Sequence, residues 1–95
     1  MQLEEFARMT RRVISNQGFD DYLPTAIFPG RQMIMVLEGI PVDVDVEKAA
    51  LAWASRKAQA DEEFLVAYKS SDDHFKVARR ADGKFEVAVY SIAED

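Results

Sequence analysis

Apolar residues recur every three or four positions near the amino end of the chain and every second position near its carboxyl end. Over residues 2–16, Leu3, Phe6, Ala7, Thr10, Val13 and Ile14 fall on one side at the spacing of an amphipathic helix. Glu4 and Glu5 lie in its first turn, where the helix dipole favours negative charge, and Gly18 supplies a stop. Two short apolar runs follow, Thr25–Phe28 and Met33–Leu37, separated by Pro29-Gly30-Arg31-Gln32. They predict a hairpin with a four-residue loop, in which Pro29-Gly30 supplies the angles of a type II turn. The second run is apolar in both phases, which predicts an interior strand or one with covered faces. At the sheet edge, such a strand would favour homodimerisation.

Gly39-Ile40-Pro41 ends that strand, and a second helix is predicted from about Val46 to Ala60. Asp43 or Asp45 is its N-cap candidate, and Val46, Ala50, Trp53, Ala54 and Lys57 share a side. In the last third, alternation gives Phe64, Val66 and Tyr68, then Phe75 and Val77, then Phe85, Val87 and Val89 as inward positions. A three-residue loop Ala81-Asp82-Gly83 pairs Val77 with Val87 and Phe75 with Val89, keeping charge off the buried face. A four-residue loop, Ser70–Asp73, pairs Tyr68 with Phe75 and Val66 with Val77 by the same criterion.

The expected architecture is therefore one α+β domain over residues 1–95: helix, strand, strand, helix and a three-stranded meander. Its antiparallel five-stranded sheet would carry both helices packed on one face. This order of elements resembles that of roadblock-type domains without their final helix. The likeness is one of topology and implies no function.

Composition narrows the chemistry. The chain has 48% hydrophobic residues and 11% aromatic ones, enough for a core, and no cysteine, which excludes disulfides and thiol chemistry. Its opening, Met1-Gln2-Leu3-Glu4-Glu5, lacks the basic-then-apolar order of a signal peptide, and no apolar run approaches roughly eighteen residues. A cytoplasmic protein without a membrane role is expected. Seventeen acidic residues against twelve basic ones give a net charge of −5, which disfavours long-range attraction to nucleic acid.

Catalytic and metal signatures are sparse. His74 is the single histidine and has no acid partner identifiable from sequence, and no serine sits in a nucleophile elbow. With one histidine and no cysteine, zinc would need carboxylates for most of its ligands. Asp43, Asp45 and Glu47 have the alternate spacing of a calcium loop but not its glycine at the sixth place or its glutamate at the twelfth. No enzyme activity, metal or cofactor is expected.

The predicted register places Lys69, His74, Lys76, Arg80, Lys84 and Tyr90 together on the outer face of the meander, with Glu86 as its only acid. Arg79 falls on the inward phase, between Phe64 and Phe85, with its head over a ring or in water. The leading expectation is a small non-catalytic protein-interaction module, an adaptor, inhibitor or immunity-type protein, acting through this charged face. Nucleic-acid binding through the same basic face is the alternative from another class. A small-molecule pocket between the second helix and the sheet near Trp53 is the third.

Overall fold

The computed structural model describes residues 1–39 and 45–93. Its elements are α1 (Leu3–Gln17), β1 (Thr25–Phe28), a short 3-10 turn (Pro29–Arg31), β2 (Met33–Val36), α2 (Val46–Lys57), β3 (Phe64–Lys69), β4 (His74–Ala81) and β5 (Lys84–Ser91). All strand pairs are antiparallel, and the five strands lie in the order β2-β1-β3-β4-β5. The α+β class, the element order and the five-stranded antiparallel sheet are as the hydrophobic pattern predicts.

The placement of the helices is not. Successive side chains on a strand point to opposite faces, and β3 is buried on both. Leu65 and Ala67 pack with Phe6, Ala7 and Ile14 of α1, whereas Phe64, Val66 and Tyr68 pack with Ala50, Trp53 and Ala54 of α2. The helices therefore sit on opposite faces, here called the α1 face and the α2 face, and the expectation of both on one face is corrected. The signal was present in Phe64-Leu65-Val66-Ala67-Tyr68, a continuous apolar run of the kind a doubly covered strand requires.

Neither helix covers the full width of the sheet. α1 packs against β3, β4 and β5. The α2 core instead takes in Ala26 and Phe28 of β1 and Ala78 of β4, with half-buried Met35 of β2 against it. Two diagonally opposed corners of the sheet are left open: β4–β5 on the α2 face and β1–β2 on the α1 face.

Local chemistry explains most boundaries. The Glu5 side chain accepts from the Gln2 N–H, satisfying a donor at the start of α1, and Gly18 closes that helix with φ 86°. Asp45 caps α2 by accepting from the N–H groups of Glu47 and Lys48 at 3.0 and 3.4 Å. The other cap candidate, Asp43, and the Ile40-Pro41 break lie outside the described residues. α2 ends at Lys57, short of the predicted Ala60.

The β1–β2 loop has the expected four residues, with Phe28 paired to Met33, but not the expected turn. Its left-handed residue is Gln32 at φ 52°, and Gly30 is not among the positive-φ positions. Arg31 fastens this loop to the end of α2. It donates to both Glu62 carboxylate oxygens at 2.6 and 2.8 Å and to the Lys57 carbonyl at 3.1 Å, with its guanidinium 4.8 Å from the Phe28 ring centroid.

Candidate functional site

The meander register differs from expectation by one residue at both hairpins. The β4–β5 loop has two residues, Asp82-Gly83, with φ 53° and 73°, both positive as a type I′ hairpin requires. Between β3 and β4, the Ser70 N–H donates to the His74 carbonyl at 3.0 Å, leaving Ser71–Asp73 as the loop. Val77 consequently pairs with Ala88 and Val87 with Ala78, so the expected Val77–Val87, Phe75–Val89, Tyr68–Phe75 and Val66–Val77 pairs are all replaced. By the criterion of an uncharged core face the Asp82-Gly83 turn is disfavoured, because it places Arg80 beside Phe85 and Lys76 beside Val89. That objection holds only for a fully covered face, and α2 does not reach β5.

This register divides the six expected site residues. His74, Lys76 and Arg80 lie in phase with Phe64, Val66 and Tyr68 on the α2 face, whereas Lys69, Lys84 and Tyr90 lie on the α1 face. The single basic face does not form. On the α1 face, Tyr90 stacks on Phe75 with centroids 5.6 Å apart and Arg11 lies over both rings. Lys69 sits 4.9 Å from the Phe19 ring centroid. Arg79 is also on that face, ion-paired through Nη2 to Glu63 at 2.7 Å. The position over an aromatic ring expected for Arg79 belongs to Arg80, whose guanidinium is 4.6 Å from the Phe64 centroid.

A different surface emerges at the open corner of the α2 face. Phe85, Val87 and Val89, expected in the core, are 55%, 49% and 56% exposed and form a stripe along edge strand β5. Their cross-strand partners on β4 are Arg80, Ala78 and Lys76. A basic row therefore runs between the stripe and α2, with Ala78 as a buried floor between Lys76 and Arg80. Lys76 lies 3.7 Å from Glu47 on α2. Glu47 in turn accepts from the Tyr68 hydroxyl at 2.9 Å, and burial together with that carboxylate raises the Tyr68 pKa. Sequence reading missed this stripe because it treated one sheet face as wholly buried. The Asp-Gly turn signal, followed through, would have shown Phe85, Val87 and Val89 beside charged residues.

His74 does have an acid neighbour, contrary to the sequence reading. Its Nδ1 is 2.7 Å from Asp73 Oδ1, and Ser71 Oγ lies 3.4 Å from the same nitrogen while donating to Asp73 at 3.1 Å. The hydrogen bonds from His74 and then Ser71 hold the Asp73 carboxyl below its usual range. A serine–histidine–acid relay needs the acid and the hydroxyl on different ring nitrogens. Here both meet Nδ1, which is a loop-closing arrangement. No group of three or more His, Asp or Glu side chains among the described residues is placed to hold a metal ion.

The clefts offer less. One of about 290 Å³ lies between the end of α2 and the β4–β5 turn, lined by Ser55, Gln59, Asp61, Glu62, Arg80 and Asp82 among others. The Glu62 carboxyl at its edge is held low first by Arg31 and then by the Gln59 N–H. Trp53 is buried in the α2-side core, with a recess of about 200 Å³ beside it bounded by Leu37, Glu38 and Arg56. A larger groove of about 440 Å³ occupies the open corner of the α1 face, where Val13, Leu23, Ile34 and Val36 are exposed. β2 is an edge strand, so the expectation of an interior strand is corrected. No helix of the described residues is long and apolar enough to cross a membrane. No protein-family model, curated protein or solved structure matches this chain.

Proposed function

We propose that this chain is a non-catalytic protein-interaction module whose docking surface is the open β4–β5 corner of the α2 face. The observation that carries the reading is the Phe85–Val87–Val89 stripe, half-exposed and bordered by Lys76 and Arg80. Three large apolar side chains in a row against water lose the stabilisation that burial gives, roughly 25 cal/mol per Å² of apolar surface. Contiguous apolar surface rimmed by charge characterises binding sites. The basic border steers an acidic partner and fixes its orientation, while the stripe supplies the contact area. A cytoplasmic setting belongs to the same proposal and is supported by the cysteine-free composition.

The test compares proteins retained from a cell lysate by the parent and by Val87→Glu, with Arg12→Glu on the exposed side of α1 as control. A specific partner should be held by the parent and the control and released by Val87→Glu. Retention of the same proteins by all three would overturn the reading.

Homodimerisation through β2 is a second reading, favoured by one observation. Ile34 and Val36 are 57% and 50% exposed on the face opposite α2, while on the α2 face Met35 is half-buried and Met33 exposed, so the doubly apolar edge strand is open on one side and only partly covered on the other. The interaction and nucleic-acid expectations share the six-residue basic face, which is divided between the two sides of the sheet, and the interaction reading is carried instead by the apolar stripe.

A further inference from the structure

From the geometry of the open β4–β5 corner we infer that its occupant is an acidic amphipathic α-helix, laid beside α2 and completing that layer of the sheet. The inference rests on the docking role proposed above and names the partner's chemistry. Strands lie about 4.8 Å apart, whereas a helix is about 10 Å across, so one helix covers about two strands. α2 covers β1 and β3 and reaches Ala78 of β4, so what stays open is the α2 face of β5 together with the half-buried Lys76 and Arg80 side chains of β4 beside it. Phe85, Val87 and Val89 recur about every 6.8 Å along β5, close to the roughly 6 Å rise between helix positions i and i+4. An apolar helix stripe can therefore stay in contact along the strand.

Charge sets the composition of that helix. Its α2-side flank meets Arg80 and also Lys76, whose partly exposed pair with Glu47 at 3.7 Å can be exchanged for a partner carboxylate, so acidic residues there gain chiefly from Arg80. The same row argues against a second copy seated face to face, which would bring two sets of Lys76 and Arg80 together. A strand added to the β5 edge would bond in the plane of the sheet and leave the stripe uncovered. Single-stranded nucleic acid needs stacking platforms, and the stripe offers one aromatic beside two valines.

The probe is a designed 18-residue peptide with leucines at i, i+3, i+4 and i+7 spacing and glutamates along one flank. Its companions are a lysine-for-glutamate twin, a version broken by two central prolines, and an oligothymidylate. Binding is read from backbone amide shifts of the full chain and from peptide anisotropy. The glutamate helix should move amides within residues 74–91, bind at least tenfold more tightly than its lysine twin, and lose most of its affinity to Val87→Glu or Val89→Asp. Lys76→Gln combined with Arg80→Gln should narrow the gap between the twins.

Equal or tighter binding of the lysine twin, or undiminished binding of the proline version, at those amides would overturn the acidic-helix inference while leaving a docking surface there. No shift in residues 74–91 with any peptide, or shifts with the oligothymidylate alone, would also overturn it. The docking role itself is decided separately by the retention comparison.

Discussion

Val77 and Val87 stand on opposite faces of the sheet: Val77 is fully buried beneath α1 across from Ala88, and Val87 is half-exposed across from Ala78. The same substitution should therefore have unequal effects. Threonine replaces a valine methyl by a hydroxyl at nearly constant shape. Val77→Thr buries that hydroxyl in an apolar site and should cost about 2 kcal/mol, whereas Val87→Thr should stay within about 0.5 kcal/mol. Urea midpoints of the two variants check this directly, and equal losses would count against the register.

Two glycines should separate in the same way. Gly83 has φ 73° in the β4–β5 turn, so Gly83→Ala should destabilise by about 1 kcal/mol. Gly30 lies in ordinary backbone, and an added Cβ there meets nothing within 4 Å. Gly30→Ala should leave stability unchanged or raise it by about 0.5 kcal/mol by restricting the unfolded chain. A loss at Gly30 would restore the type II turn that the Pro-Gly pair suggests.

Alkaline pH should weaken the fold. Burial is the first cause of a raised pKa at Tyr22, Tyr68 and Tyr90, and at Tyr68 the Glu47 carboxylate adds to it. A raised folded pKa means that the native state keeps its proton where the unfolded chain releases it. The contribution is complete below the unfolded value of about 10 and declines as pH rises beyond it. Phenolate absorbance should lag behind that of free tyrosine and then appear together with unfolding. Tyr68→Phe should lessen that pH dependence at a cost of about 1 kcal/mol at neutral pH.

The open corner of the α1 face yields an association test. Sedimentation equilibrium should show self-association of the parent if β2 is a homodimer edge, and Ile34→Lys should abolish it while Val87→Lys leaves it intact. A concentration-independent monomer would remove the second reading and leave the first untouched.

Both helices and all five strands were legible in the residue pattern, because periodicity near 3.6 or 2 reports which side of one helix or strand is apolar, whereas the 3-10 turn at Pro29–Arg31 was not. Pairing between strands was not. Alternation at β4 marks Phe75 and Val77 against Lys76 and Arg80, but it does not say which phase of β5 lies beside which. Assuming a single core face forced Val77 against Val87 and overrode the Asp82-Gly83 signal. The unbroken run Phe64–Tyr68 already implied cover on both sides, and following it would have exposed Phe85, Val87 and Val89. The association of Asp73 with His74 was legible only as adjacency, since its geometry depends on how the loop closes.

The central claim is that the β4–β5 pairing turns Phe85, Val87 and Val89 away from α1 and into the open. Cross-strand nuclear Overhauser contacts between backbone protons of these two strands test it most directly. Ala78 facing Val87 and Lys76 facing Val89 are the expected contacts. Val77 facing Val87 and Phe75 facing Val89 would bury the stripe and contradict the docking surface built on it.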